Sequence, residues 1–159
     1  MQIKVESVEK AVKKIDNLDD DSLEKISETH VLSQSKLVGY IMSSSIELDN
    51  EQLMELLIYY FNIFMEAAQN EGAELKVLSD EDIESFHEEY TDLLEEFSDK
   101  EDFDLIQDFC NQPILFSFLL TEINLEDETG QKLDDETADS LFLVGTALIS
   151  LIDRAIKRK

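Results

Sequence analysis

One short pattern recurs four times in this chain of 159 residues, and each copy marks the start of a helix. In each copy a leucine precedes several polar, mostly acidic residues, and an apolar or small residue follows five positions after the leucine. Asp or Ser takes the N-cap position, where its side chain accepts hydrogen bonds from free backbone N–H groups, and the acids that follow lie in the positive first turn. The leucine can pack on the later residue as a hydrophobic staple. The four copies are Leu18–Leu23, Leu48–Leu53, Leu78–Ile83 and Leu133–Ala138.

Between these starts, apolar residues recur at the spacing of amphipathic helices. Gly72 is placed to end a helix, and the Asn-Gln-Pro sequence at 111–113 separates two further segments because proline fits only a first turn. Residues 75–78 indicate a short extended connection. We predict an all-α fold, an irregular bundle of six or seven helices with little or no sheet, in a single domain over residues 1–159. The predicted helices are roughly 4–16, 19–44 with a split near 33–35, 49–71, 79–98, 101–110, 112–124 and 134–158.

The charge is segregated along the chain, which has a net charge of −25. Residues 37–153 hold thirty acidic residues and three lysines, whereas residues 1–36 hold eight acidic residues and six lysines. A middle section of this kind projects a negative field that attracts cations or a basic partner and repels nucleic acid and anionic membranes. We therefore expect a basic protein as partner, including the nucleic-acid-binding kind, and no direct contact with nucleic acid or membrane.

The compartment is indicated by cysteine usage and by the uncharged stretches. Cys110 is the one cysteine, so it forms no intramolecular disulfide, and its apolar neighbours predict a buried thiol. The start of the chain mixes charged and apolar residues, unlike a secretory signal. No uncharged stretch is longer than Ser140 to Ile152, which is shorter than the roughly 20 residues that span a bilayer. We expect a cytoplasmic protein.

Two predicted helices are apolar almost all the way round, Leu53 to Met65 and Leu141 to Ile152. Such helices are either central to the fold or shared with a partner, and we favour the central position, with Gly145 allowing a neighbouring backbone to come close. A homodimer is the alternative, in which the basic tail from Arg154 reaches the acidic surface of a second copy. The residues that would form its interface are Leu141, Val144, Leu148, Leu151 and Ile152.

The predicted helix from Asp80 to Asp99 carries a lysine-free acidic face opposite a narrow apolar face. Four pairs of like charge on this acidic face lie four residues apart, and each destabilises a helix by about 0.2–0.5 kcal/mol. A solvated face ordinarily interleaves lysine with glutamate, so this arrangement favours recognition of a cation, although an acid-biased composition would also produce it. The residues of this predicted partner-binding face are Glu84, Glu88, Asp92, Glu95, Glu96 and Asp99.

Known catalytic and ligand patterns find little support in the sequence. No acidic loop matches the ligand spacing of an EF-hand, and no histidine is arranged with a nucleophile and an acid as in a catalytic triad. Glu84 and His87 have the Glu-x-x-His spacing used by di-iron helical bundles, but the second such pair that those sites need is missing. His30 falls on an apolar stripe and is predicted to lie in the core or in an interface. We expect no cofactor.

These observations predict a small acidic cytoplasmic protein that acts by protein–protein binding through an acidic helical surface and is not an enzyme. An inhibitor, an immunity or antitoxin-like factor and an adaptor all fit this description. Its most specific form is a DNA mimic, in which carboxylates occupy phosphate positions on a nucleic-acid-binding protein. The alternatives are a metal-dependent enzyme that uses carboxylates with Glu84 and His87, and a purely structural helical oligomer.

Overall fold

The structure, a computed structural model, describes residues 1–158 apart from the side chain of residue 44. Over that range it contains eight helices and no strand, which confirms the predicted all-α bundle. No helix within this range is both long and apolar enough to cross a membrane. The helices are α1 Val5–Asp16, α2 Asp20–Ser33, α3 Ser35–Glu47, α4 Glu51–Asn70, α5 Asp80–Lys100, α6 Phe103–Cys110, α7 Pro113–Ile123 and α8 Asp135–Ala155.

The eighth helix arises because the second predicted helix is divided at Gln34, inside the predicted split. Gln34 leaves helical geometry (φ −139°, ψ 49°), and its side chain is buried. Its amide Nε2 donates to the carbonyl of Lys76 at 2.8 Å, and its Oε1 accepts from the N–H of Leu78 at 3.2 Å. The break between α2 and α3 thus lets one side chain satisfy the backbone of the extended connection, which also forms a single antiparallel bridge between Leu75 and Ile156.

The predicted helix starts are all present, with one correction at α4. Asp19, Ser79 and Asp134 take the N-cap positions and accept backbone N–H bonds, as predicted. At α4 the cap is Asn50 rather than Asp49, because Asp49 adopts a left-handed conformation (φ 49°) and the Asn50 side chain accepts from Leu53 N at 3.0 Å.

The core is built around α4 and α8, which confirms the central position favoured for the two most apolar helices. Helices α1, α2 and α3 pack on α4, and α3, α6 and α7 pack on α8. Residues 60–68 and 145–153 are buried without interruption. Gly145 does allow a close approach, but the neighbour is a side chain: a Cβ there would lie 2.7 Å from Cδ2 of Leu119 on α7.

Cys110 is a buried thiol, as predicted. It is 0% exposed at the end of α6, and its Sγ lies 3.4 Å from the carbonyl oxygen of Thr146. Burial raises the pKa of this thiol to about 12. A thiol that stays protonated at neutral pH is a poor nucleophile, so Cys110 acts as a small packing residue.

Candidate functional site

The acidic helix α5 begins with a reciprocal cap. The Ser79 hydroxyl accepts from Asp82 N at 3.1 Å, and the Asp82 carboxylate accepts from Ser79 N at 2.9 Å. These hydrogen bonds hold the pKa of Asp82 below its ordinary value. The helix ends at Lys100, after which Glu101 turns the chain in a left-handed conformation (φ 51°). Both ends of the 21-residue helix are therefore defined by local contacts.

The apolar face of α5 points inward and is built from aromatic contacts. Phe86 and Tyr90 are buried and stack with their ring centroids 5.2 Å apart, and Phe109 of α6 packs against both rings. The Tyr90 hydroxyl lies 2.7 Å from Oγ1 of Thr146 and donates to the carbonyl of Leu143 on α8. This inner face fixes the rotation of α5 about its axis, so the opposite face must point to solvent.

Arg154 of α8 also holds α5 in place. Its guanidinium lies 5.1 Å from the ring centroid of Phe86 and 5.3 Å from that of Phe109, a cation–π arrangement. The same group forms an ion pair with Glu89. This pair neutralises an acid on the flank of α5 and leaves the predicted partner-binding face untouched.

All six residues of the predicted partner-binding face are exposed. Within residues 1–158, one of them forms an ion pair: Glu96 is 2.8 Å from the Nζ of Lys100. The pair is itself exposed, so it contributes little to stability and breaks readily. Acidic residues continue past the end of the helix, where Glu101, Asp102 and Asp104 are also exposed.

The spacing of these carboxylates is close to that of phosphates in one nucleic-acid strand. Glu84 and Asp99 are about 22 Å apart along the helix axis, at 1.5 Å per residue. Six carboxylates over that length give one charge per about 4 Å. A single strand of B-DNA carries one phosphate per roughly 3.4 Å of axis. The face can therefore offer a basic groove a comparable linear density of negative charge.

The structure places Glu84 and His87 on the surface of α5, with both residues exposed. Nδ1 of His87 lies 2.9 Å from the Tyr40 hydroxyl of α3, so one ring nitrogen already has a protein partner. Among the described residues, no group of three or more ligand-type side chains is close enough to hold a metal ion. The described residues thus supply no further ligands to complete a site around Glu84 and His87.

The predicted oligomer interface lies mostly inside the chain's own core. Leu141, Leu148, Leu151 and Ile152 are 0% exposed, and Val144 is half-buried. They are buried because α8 is surrounded by α3, α4, α6 and α7, so this set of side chains offers no free surface to a second copy.

The basic tail from Arg154 to Arg158 also contacts the chain itself, and its last residue, Lys159, lies outside the described residues. Arg154 pairs with Glu89, and Arg158 forms an ion pair with Asp153 at 2.5 Å. Nζ of Lys157 lies 4.0 Å from Oε2 of Glu74. Within residues 1–158, the apolar and basic residues assigned to a homodimer thus contact the chain itself, and the homodimer stays a prediction.

Sequence reasoning missed a buried polar cluster beneath α2. Glu66 of α4 is 3% exposed, and its two oxygens lie 3.0 Å from Nε2 of His30 and 3.0 Å from Nζ of Lys14. His30 is buried, which agrees with its predicted core position. One turn earlier, Asn62 donates to Oγ of Ser27 at 3.2 Å. The sequence offered two signals for this cluster: Glu66 follows an apolar run, and His30 lies on an apolar stripe.

Comparison of the chain with protein-family models, with curated proteins and with solved structures gives no match.

Proposed function

We propose that this protein acts by binding a basic protein through the partner-binding face of α5. The observation that carries the proposal is the set of six exposed carboxylates, of which only Glu96 has a cationic partner within residues 1–158. Like charges four residues apart oppose helix formation, so the face carries an energetic cost that a basic partner would offset. The proposal places this binding in the cytoplasm.

The partner we favour is a nucleic-acid-binding protein. A groove that holds phosphates presents lysine and arginine at the spacing of a nucleic-acid strand, and α5 offers carboxylates at a similar spacing. The rigid inner face of α5, fixed by Phe86, Tyr90 and Arg154, would present these charges in one orientation. Such a protein would act as an inhibitor that competes with nucleic acid for the groove.

The test reverses three charges at the centre of the face in the variant Glu88→Lys, Asp92→Lys and Glu95→Lys. Tagged wild type and variant are used to capture proteins from a lysate at low and at high salt. We expect the wild type to capture a basic protein that duplex DNA releases in competition. The variant should lose that protein, mainly through slower association, because attraction between opposite charges steers the encounter of the two proteins.

The matched control carries the same change of net charge elsewhere: Glu126→Lys, Glu128→Lys and Asp139→Lys, all at exposed positions. It should retain the captured protein. If both variants lose the captured protein equally, that protein is attracted by the overall negative charge and not by the α5 face. If the α5 variant captures it as well as the wild type does, the face is only a solvated surface. Capture of a basic protein that DNA does not displace would contradict the mimic while supporting the binding function.

A further inference from the structure

A second surface feature lies between α2 and α4, away from the residues of the α5 face. It is a groove of about 550 Å³ whose floor and walls include the apolar side chains of Leu23, Val31 and Ile58. Four acidic residues also line it, and no lysine or arginine does: Asp20, Glu24, Glu28 and Glu55.

A buried oxygen at this groove lacks a hydrogen-bond partner. Asn62 lines the groove and is 2% exposed, and its Nδ2 donates to Ser27. Its Oδ1 has no partner among the described residues. Buried polar atoms without a partner are few in folded proteins and oppose folding. A ligand that donates a hydrogen bond to this oxygen would remove that cost.

The charges around Asn62 favour a cationic donor. On α4, Asn62 follows Glu55 by seven residues and precedes Glu66 by four, so the three lie near one line of the helix. Glu55 and Asn62 are about 10 Å apart along the axis. On the opposite wall, Asp20, Glu24 and Glu28 recur every four residues, at intervals of about 6 Å.

We propose that the groove between α2 and α4 binds a linear aliphatic polyamine. Its ammonium groups would lie among the four carboxylates, its methylene segments would cover Leu23, Val31 and Ile58, and one N–H would donate to Asn62 Oδ1. Repeated carboxylates on one wall match a chain of several ammonium groups better than they match a single cation. The apolar floor selects for methylene segments between those charges.

Access to Asn62 requires a small outward movement of α2, and α2 is suited to it. The one buried residue of α2 is His30, and the apolar residues of this helix are only partly buried or exposed. Helices held by few buried apolar contacts open at low cost. The contact between His30 and Glu66 would keep the far end of α2 in place.

The probe is spermidine, titrated by calorimetry into the full chain at about 0.15 M salt, where weak surface attraction is screened. We expect one saturable site and a shift of the Asn62 side-chain amide resonance in nitrogen-edited NMR spectra. Two variants test the contacts: Glu24→Gln with Glu55→Gln at the exposed rim, and Asn62→Leu at the floor. Each should weaken binding about tenfold, the effect expected for one lost hydrogen bond to a charged group.

The matched control is Glu128→Gln with Asp139→Asn, two exposed residues outside the groove, which removes the same charge. It should change affinity by less than about twofold, because those positions contact no part of the groove. If the control weakens binding as much as the rim variant, spermidine only condenses on an acidic surface and the site is refuted. An unshifted Asn62 amide at saturation would also overturn the proposal, since the oxygen would then be satisfied by water. The rim variant alters only exposed residues, so the test stands even if Asn62→Leu does not fold.

Discussion

Single aspartates at helix starts make part of this protein's stability sensitive to acid. Asp19 and Asp134 each accept a backbone N–H, at 2.7 and 2.8 Å, and these hydrogen bonds hold the pKa of both carboxyls below the ordinary value. A lowered folded-state pKa means that the charged form favours the native state. The stability from these caps is therefore present above the unfolded pKa of about 3.9 and lost as the pH falls through the folded pKa.

Replacing both caps by asparagine should reduce this loss. Asn is as good a cap as Asp and does not titrate, so Asp19→Asn with Asp134→Asn keeps the hydrogen bonds at every pH. We expect the Tm of the variant to fall less than that of the wild type between about pH 5 and about pH 3. Thermal unfolding monitored by circular dichroism at each pH measures these Tm values. The control is Asp139→Asn, an exposed acid without an N-cap role; if both variants change the acid response equally, the caps are not its source.

Residue-level prediction succeeded where the signal was local and failed where it was not. The caps at Asp19, Ser79 and Asp134 follow from the few residues around them. Asn50 replaced Asp49 as a cap because both are good capping residues and the choice depends on how the chain leaves α3. Glu66 pairs with Lys14, 52 positions away, and with His30, 36 positions away. Such contacts cannot be predicted from local sequence.

At the scale of elements, α5 joins a fixed inner face to an outer face on which, within residues 1–158, only Glu96 has a cationic partner. Its periodicity was readable because apolar and acidic residues separate cleanly at about 100° per residue. The structure adds the reason the inner face stays in place, which is contact with Arg154 and Thr146 of α8. Neither contact could be predicted, since both depend on how two distant helices cross. The central role of α8 was predictable because its uncharged stretch, residues 140–152, needs cover on every side.

The cost of the outer face predicts a stability change for the charge-reversal variant of α5. Changing Glu88, Asp92 and Glu95 to lysine turns three of the four like-charge pairs into opposite-charge pairs. Each change is worth a few tenths of a kcal/mol, so the free energy of unfolding should rise by about 1 kcal/mol. Urea denaturation measures this free energy. The control variant at Glu126, Glu128 and Asp139 should be stabilised less, because it alters only one like-charge pair, Asp135 with Asp139. A destabilised α5 variant would show that these carboxylates make stabilising contacts.

For the whole molecule, the net charge of −25 outweighs the ion pairs that the described residues form. Those pairs are few, and three of them join two exposed side chains: Lys36 with Asp80, Lys100 with Glu96, and Lys157 with Glu74. Added salt weakens attraction in the pairs and repulsion among the remaining carboxylates alike, over a Debye length of about 10 Å at 0.1 M. Repulsion involves many more charges, so screening should favour the compact state.

We therefore expect the Tm to rise as sodium chloride is added up to about 0.5 M, a range in which screening dominates over salting-out. Differential scanning calorimetry over a salt series measures the slope. The two charge-reversal variants each make the net charge less negative by six, so both should show a shallower slope than the wild type, wherever the lysines are placed. A slope reduced only in the α5 variant would mean that repulsion is concentrated on that helix rather than spread over the molecule. A Tm that is flat or falls with salt in the wild type would show that attractive pairs, and not self-repulsion, dominate its electrostatics.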